Sequence, residues 1–508
     1  MSDSPQSRSR GAMTRDADSS NPEVVVIGAG PAGLTAAYEL SKNGVTSRIL
    51  DRDEDYVGGI ARTVDYKGFR FDIGGHRFFT KIKEVEDIWH EILSDEFLQR
   101  PRLSRIFYKN KFFHYPLRPV EALRKVGLID TTKVVASYLY AQLRPTKEED
   151  NFEQWVRNRF GHKLYSMFFK TYTEKVWGMP CTELGADWAA QRIKNLSLAS
   201  AAKNALFGKK GDRSITTLID QFDYPRLGPG QMWERCRDIV MDRGHEVLMG
   251  HRAHKIRHRH GKIEAVVSQR SDGSLEEIPA SHVISSMPLS EVIQCLDPLP
   301  PDEVVAAAKA LRYRDFLTVS LVVDREDLFP DNWIYVHSPD VQLGRIQNFK
   351  NWSPHMVPDS SKTCLGLEYF VFEGKGLWSQ SNDELLALGS KEIDTLGLAQ
   401  AKEVSDGTVV RMPKAYPVYD GVFQQSVDTI RAWLDQSLPD LHQIGRNGQH
   451  RYNNQDHSMM TALYAARSVM GDPHDCWNVN VEAEYHETME RQQPRRVGSK
   501  PEDAIVTT

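Results

Sequence analysis

Apolar positions near the start of the chain change period twice, and the changes mark out a strand, a turn and a helix. Val24, Val25, Val26 and Ile27 form an unbroken apolar run, the pattern of a strand buried on both faces. The run enters Gly28-Ala29-Gly30-Pro31-Ala32-Gly33, after which Leu34, Ala37 and Leu40 recur at helical spacing up to Gly44. A second short strand, Arg48-Ile49-Leu50, ends in Asp51. In this pattern Gly28 turns the chain, Gly30 admits a pyrophosphate close to backbone, and Gly33 lets the helix sit tight on the strand. The helix start directs N–H groups and a positive dipole end at the phosphates. Asp51 follows the glycines by about 20 residues, the offset at which a carboxylate takes ribose hydroxyls and repels a 2′-phosphate.

Beyond Asp51 and Arg52, a second glycine pair, Gly58-Gly59, stands close to Arg62. It is either an ordinary turn or the loop past which a longer dinucleotide such as FAD runs. Residues 69–73 alternate as a strand and lead into Gly74-Gly75-His76, where the glycines would let backbone approach a flat ring with His76 beside it. A lone histidine is equally at home as a structural residue. Residues 83–98 have helical spacing in Val85, Ile88, Trp89, Ile92 and Leu93, and residues 106–115 alternate aromatic and basic side chains as a strand or hairpin. Residues 119–207 read as largely helical and contain FFKTYTEKVWG at 168–178. An insertion of this size can carry a substrate pocket, although aromatic stripes are more commonly plain core. A Pro-Gly loop at 224–230 contains Arg226, and the section 246–286 then reads as a β-meander between strands of a parallel sheet. Strands are expected at 316–323, 333–336 and 365–371, with Arg312 and Arg314 ahead of the first and Arg345 after the second. Each arginine is either solvated surface or an anion contact. Residues 441–448 run from strand into a glycine turn with Arg446, and a helix at 456–469 would bring N–H groups back onto the cofactor.

Composition narrows the function classes. The chain has 508 residues and a net charge of −5, with no basic block of the kind that binds nucleic acid. Five scattered cysteines without CxxC spacing fit a reduced, cytoplasmic protein and no metal site. No apolar run approaches the ~18 residues that span a bilayer, and no amphipathic basic stretch stands out. The expected organisation is a disordered tail at 1–22, a cofactor domain in three parts (23–100, 226–300, 426–471), a helical cap at 101–225, a β-sheet substrate domain at 301–425 and a polar tail at 472–508.

The string at 168–178, preceded by NFEQW at 151–155, resembles the FFKGYTxKQWG string of the UDP-galactopyranose mutase group, within the wider superfamily of flavin amine oxidases and protoporphyrinogen oxidases. The similarity runs from about residue 23 to residue 471. It implies an α/β fold with a Rossmann-type FAD-binding domain, an inserted helical domain and an antiparallel β-sheet substrate domain. It also implies that Trp177 stacks on the uracil of a UDP-sugar, with Tyr172 beside the phosphates and Arg226 and Asn453 as further substrate contacts. Arg314 and Arg345 would neutralise the diphosphate, and His76 would face the flavin. The implied cofactor set is Gly28, Gly30, Gly33, Asp51, Arg52, Gly59, Arg62, Gly75, His76, Arg446, Asp456 and Met459.

The implied reaction is pyranose–furanose isomerisation, in which reduced flavin N5 attacks the anomeric carbon, displaces UDP and forms a sugar adduct, with NAD(P)H a possible reductant and cell wall polysaccharide biosynthesis the setting. The alternative is an FAD-dependent oxidoreductase that removes hydride from a small molecule or glycan. Two departures from the mutase pattern leave the substrate open. Phe79 replaces a second loop histidine, and residues 450–456 read HRYNNQD where mutases show a run like YKYYDMD.

Overall fold

The computed structural model describes residues 23–115, 117, 119–186, 217, 218, 220–480, 488 and 489. The expected tail at 1–22, residues 187–207 of the expected helical insertion and most of the C-terminal tail lie outside the described residues. The chain divides into two compact units. Among the described residues, those within Met1–Arg62, Gly230–Arg312 and Val422–Asn480 form the first, and those within Thr63–Pro229, Tyr313–Gly421 and Val481–Thr508 form the second. The first boundary falls at Arg62, well before the residue 100 expected from sequence. The reason is the hairpin of Thr63–Tyr66 and Phe69–Asp72, whose Phe71 is buried with Tyr224, Phe349 and Trp352 of the second unit.

The first unit is built on a five-stranded sheet ordered Glu246–Met249, Ser47–Asp51, Val24–Ile27, His282–Ser285, Leu441–Gln443. All its pairings are parallel, and Val24–Ile27 is buried throughout, as the unbroken apolar run requires. The Pro31–Lys42 helix packs against the Gly230–Asp242 and Gln455–Val469 helices. The expected meander is present as His251–Arg259, Lys262–Arg270 and Leu275–Pro279, joined antiparallel.

In the second unit a seven-stranded sheet runs Val404–Pro417, Tyr313–Val323, Thr363–Val371, Arg345–Asn348, Trp333–Val336, Ser104–Tyr108, Lys111–His114. It is antiparallel except where Trp333–Val336 meets Ser104–Tyr108 in parallel. Arg314 lies inside the first of the expected strands instead of ahead of it, and Arg345 opens a strand of its own. The helical part contains Leu128–Leu143, Phe152–Tyr165 and Thr171–Trp177. Asn151 starts the second of these through a capping box with Gln154, and a π-turn at Ser166–Lys170 separates it from the third. The Leu128–Leu143 helix turns apolar side chains outward, among them Leu128, Ile129, Leu139 and Leu143.

A buried acid ties the hairpin to the rest of the second unit. Asp72 has no exposure and accepts hydrogen bonds from the Thr63 and Tyr224 hydroxyls. Burial nevertheless pushes its pKa up from 3.8 to about 7. Between those values the folded chain holds a proton that the unfolded chain has released, so this stabilisation is complete below 3.8 and disappears as pH rises through about 7. Thermal midpoints measured from about pH 5 to about pH 8 should therefore fall for the native chain relative to Asp72→Asn. Parallel curves for the two proteins would refute this linkage.

Candidate functional site

In the first unit the glycine turn lies at the carboxyl ends of parallel strands, where open α/β sheets bind ligands. Gly28 has a φ of 101°, and a Cβ at Gly33 would lie 1.8 Å from the Gly28 carbonyl oxygen. Gly30 differs: the nearest atom to its added Cβ is the Gly59 Cα at 3.8 Å, so a side chain would fill the gap between two glycine loops without striking protein. Gly58 N donates to Ala29 O at 2.8 Å and holds the second loop against the first. The Pro31–Lys42 helix starts at Gly30 with no side-chain cap and no acid in its first turn, which leaves its leading N–H groups for an anion.

Asp51 accepts from Ala29 N at 2.6 Å and Asp53 N at 2.9 Å, and burial raises its pKa against these bonds. Its carboxylate thus braces the turn, and lone pairs remain for a ribose hydroxyl. Arg62 pairs with Asp53 over the Tyr56 ring, and its Nε is buried without a hydrogen-bond partner. Arg52 is exposed. The late glycine turn closes on the same helix: a Cβ at Gly445 would lie 3.0 Å from Ala32 Cβ. Arg446 Nε donates to Asn453 O at 3.0 Å, while Asp456 and Met459 are buried in the Gln455–Val469 helix.

Asn453, expected at the substrate, is taken up inside this unit. It is 1% exposed, donates to Gly445 O and Gln449 Oε1 at 3.2 Å each, and accepts from Asn480 at 3.0 Å. It fixes the Gly445 turn. The uncapped helix start, the Gly30–Gly59 gap and the orphaned Arg62 Nε fit an anionic dinucleotide.

The second unit gathers a different set. Arg345 pairs with Glu368, which is wholly buried in an otherwise apolar strand and also accepts from Gln347 Nε2 at 2.7 Å. Burial works most strongly against the Arg345 charge, but Glu368 together with the surrounding tyrosines outweighs it and the guanidinium pKa is raised. Tyr172, Tyr335 and Tyr416 are within its electrostatic reach. Tyr172 stacks flat on His337 with centroids 4.7 Å apart and meets Tyr335 edge-on at 5.6 Å. Burial raises the Tyr172 pKa and holds His337 neutral, its pKa pushed down to about 3. His337 Nδ1 is buried without a hydrogen-bond partner.

The glycine loop packs against this cluster. A Cβ at Gly75 would lie 3.1 Å from Gln347 Nε2 and 3.1 Å from the Trp352 ring. His76 bonds through Nε2 to Ile73 O of its own loop at 3.0 Å.

Three residues expected at the substrate have structural work of their own here. Arg314 is 4% exposed and donates to Lys175 O and Val176 O at 3.2 Å each and to Phe370 O. It therefore caps the Thr171–Trp177 helix, whose C-cap Gly178 has a φ of 63° and no room for a Cβ beside the guanidinium. Burial lowers the Arg314 pKa to about 10, which leaves it charged at neutral pH. Trp177 is 5% exposed and belongs to the apolar cluster of Trp155, Phe160 and Phe168, with Tyr419 at 6.2 Å. Arg226 is tied to Glu96 at 3.1 Å and His355 at 3.0 Å. Sequence reasoning missed Glu368, Gln347, Tyr335 and His337. The one available signal was a carboxylate alone in the apolar run LGLEYFV.

A parallel sheet with glycine turns at its carboxyl edge and a separate sheet-and-helix unit define a dinucleotide-binding enzyme of the flavoprotein type. The chain belongs to the family of flavin containing amine oxidoreductases, whose family model matches residues 31–464. It is 27% identical over 187 residues to a probable UDP-galactopyranose mutase of Klebsiella pneumoniae, covering 33% of this chain and 44% of that protein. It is 21% identical over 267 residues to a 1-hydroxycarotenoid 3,4-desaturase of a Flavobacterium species, covering 49% of this chain and 54% of that protein. These alignments thus span about half the length of the curated relatives. The fold is similar to that of a crystal structure of reduced UDP-galactopyranose mutase, with a TM-score of 0.76, 21% identity and coverage of 89% of this chain and 94% of the other.

Three substitutions separate the roles. Gly30→Val should yield folded protein that lacks the flavin absorption band, since the side chain meets open space. Gly33→Ala should lose fold and flavin together, and a Gly33→Ala protein with native melting would contradict the packing. Trp177→Ala should cost about 3–5 kcal/mol in denaturant unfolding, as for a core indole; unchanged stability with lost nucleotide binding would instead make it an open stacking platform.

Proposed function

We propose that the protein is an FAD-dependent enzyme similar to UDP-galactopyranose mutase, interconverting pyranose and furanose forms of a nucleotide sugar. The observation that carries this reading is that Tyr172, on the mutase-like string at 168–178, packs on His337 and Tyr335 within electrostatic reach of Arg345, which is held by buried Glu368. Similarity to the Klebsiella pneumoniae mutase supports it. FAD would be held by Gly28, Gly30, Gly33, Gly59, Asp51 and Arg62 in the first unit. When bound and reduced, it supplies an electron-rich nitrogen for attack at an anomeric carbon.

The chain's own residues then have three tasks. The leading N–H groups of the Pro31–Lys42 helix hold the cofactor pyrophosphate. Arg345, kept charged and oriented by Glu368, meets the departing diphosphate with a planar fork of donors. Tyr172 stands beside it, its hydroxyl kept protonated by burial and so available as a donor.

A second reading, hydride removal by oxidised flavin, draws on the desaturase match and on the structural use of Asn453. Anaerobic incubation with UDP-galactopyranose separates the two. Dithionite-reduced protein should form the furanose isomer, seen by chromatography. Bleaching of the oxidised flavin by substrate, without isomer, would sink the mutase reading. In the same assay Arg345→Lys should raise KM roughly tenfold while leaving the flavin spectrum unchanged, because charge is kept and the fork is lost. An unaltered KM would remove Arg345 from the site.

A further inference from the structure

The Leu128–Leu143 helix is apolar on two sides. Val134 faces inward and is fully buried, whereas Leu128, Leu139 and Leu143 are 81%, 55% and 82% exposed, with Ile129, Val135 and Tyr140 exposed beside them. At 3.6 residues per turn these outward side chains share an arc of about 140°, broken only by Thr132 and Ala136. Exposed leucines at this density are not the scattered apolar residues of an ordinary surface. Lys133 and Arg144 stand along one edge of the arc, both exposed. The acid on the helix, Asp130, is neutralised by Lys163 at 3.3 Å and Lys109 at 3.7 Å, and Glu121 just before it by Lys125 and His114. The acidic Glu148 and Asp150 lie beyond the helix end.

We propose that this face docks on an anionic lipid bilayer, with the helix lying in the interface plane. A 16-residue helix is about 24 Å long, too short to span, and no helix among the described residues is long and apolar enough to cross a membrane. An interfacial helix needs an apolar face with cations at its edge, and both are present. Charge also favours a lipid surface over an antiparallel second copy. An antiparallel second copy would set the Lys133–Arg144 edge against its own equivalent, whereas anionic headgroups meet it with opposite sign. The inference does not rest on the mutase reading, since none of the outward side chains of this helix is assigned there to substrate or cofactor.

The test is flotation of the full, flavin-loaded chain with vesicles of phosphatidylcholine alone or mixed with phosphatidylglycerol. The native protein should float with the mixed vesicles and much less with the neutral ones. Leu139→Glu with Leu143→Glu should reduce binding roughly tenfold or more, with flavin spectrum and melting temperature unchanged because both positions are exposed. Lys133→Glu with Arg144→Glu should abolish the preference for anionic lipid. Failure of the native protein to float would overturn the proposal, and that arm does not depend on any variant folding. So would a native dimer in light scattering that the leucine variant makes monomeric while vesicle binding is absent.

Discussion

The first unit depends on an approach too close for any side chain. At Gly33 a Cβ would sit 1.8 Å from the Gly28 carbonyl oxygen, so the helix comes down onto its own strand only because both positions are glycine. That contact sets where the helix starts and leaves its leading N–H groups uncapped over the turn. The same device returns late in the chain. Gly445 approaches Ala32, and a Cβ at Gly448 would lie 2.7 Å from Ser285 O, which seats the last segment of the unit on the first and on the middle one. Segments hundreds of residues apart are thus anchored by missing side chains, and the space they enclose suits a phosphate-bearing cofactor.

Buried charge organises the second unit. Glu368 and Glu392 are both buried, and a carboxylate left there without partners would cost several kcal/mol. Glu368 is answered by Arg345 and Gln347; Glu392 accepts from Gln342 N at 2.6 Å, Leu343 N at 3.0 Å and Tyr369 at 3.0 Å. From the other side Lys175 donates to Ser338 O at 2.6 Å and Leu343 O at 3.0 Å, and burial lowers its pKa to about 8. The turn that leads into Arg345 is therefore held through its N–H groups and its carbonyls together. A guanidinium on such a support needs little reorganisation when an anion arrives.

The chain is similar both to a probable UDP-galactopyranose mutase and to a 1-hydroxycarotenoid 3,4-desaturase, so the fold alone does not choose between such activities. Residue-level differences bear on the choice. Phe79, standing where mutases carry a second histidine, packs against the apolar cluster around Phe71 and Trp352. Asn453 stabilises a turn. Both departures therefore have structural uses, and neither by itself makes the choice.

The parallel sheet, its glycine turns and the meander were legible in the chain because each is written locally: apolar runs for buried strands, glycine where backbone must come close, and alternation for half-buried strands. The resemblance at 168–178 was equally local. What sequence could not separate were uses of one residue type that differ only in distant partners. Arg314 caps a helix and Arg345 pairs with a buried carboxylate, yet both are arginines among apolar strands. Likewise Trp177 reads as a stacking platform from its motif and is core by its neighbours, and the Leu128–Leu143 helix hides which of its two apolar faces is covered. Those assignments belong to tertiary packing, since desolvation and charge pairing depend on which strands and helices meet, and no periodicity along the chain encodes that.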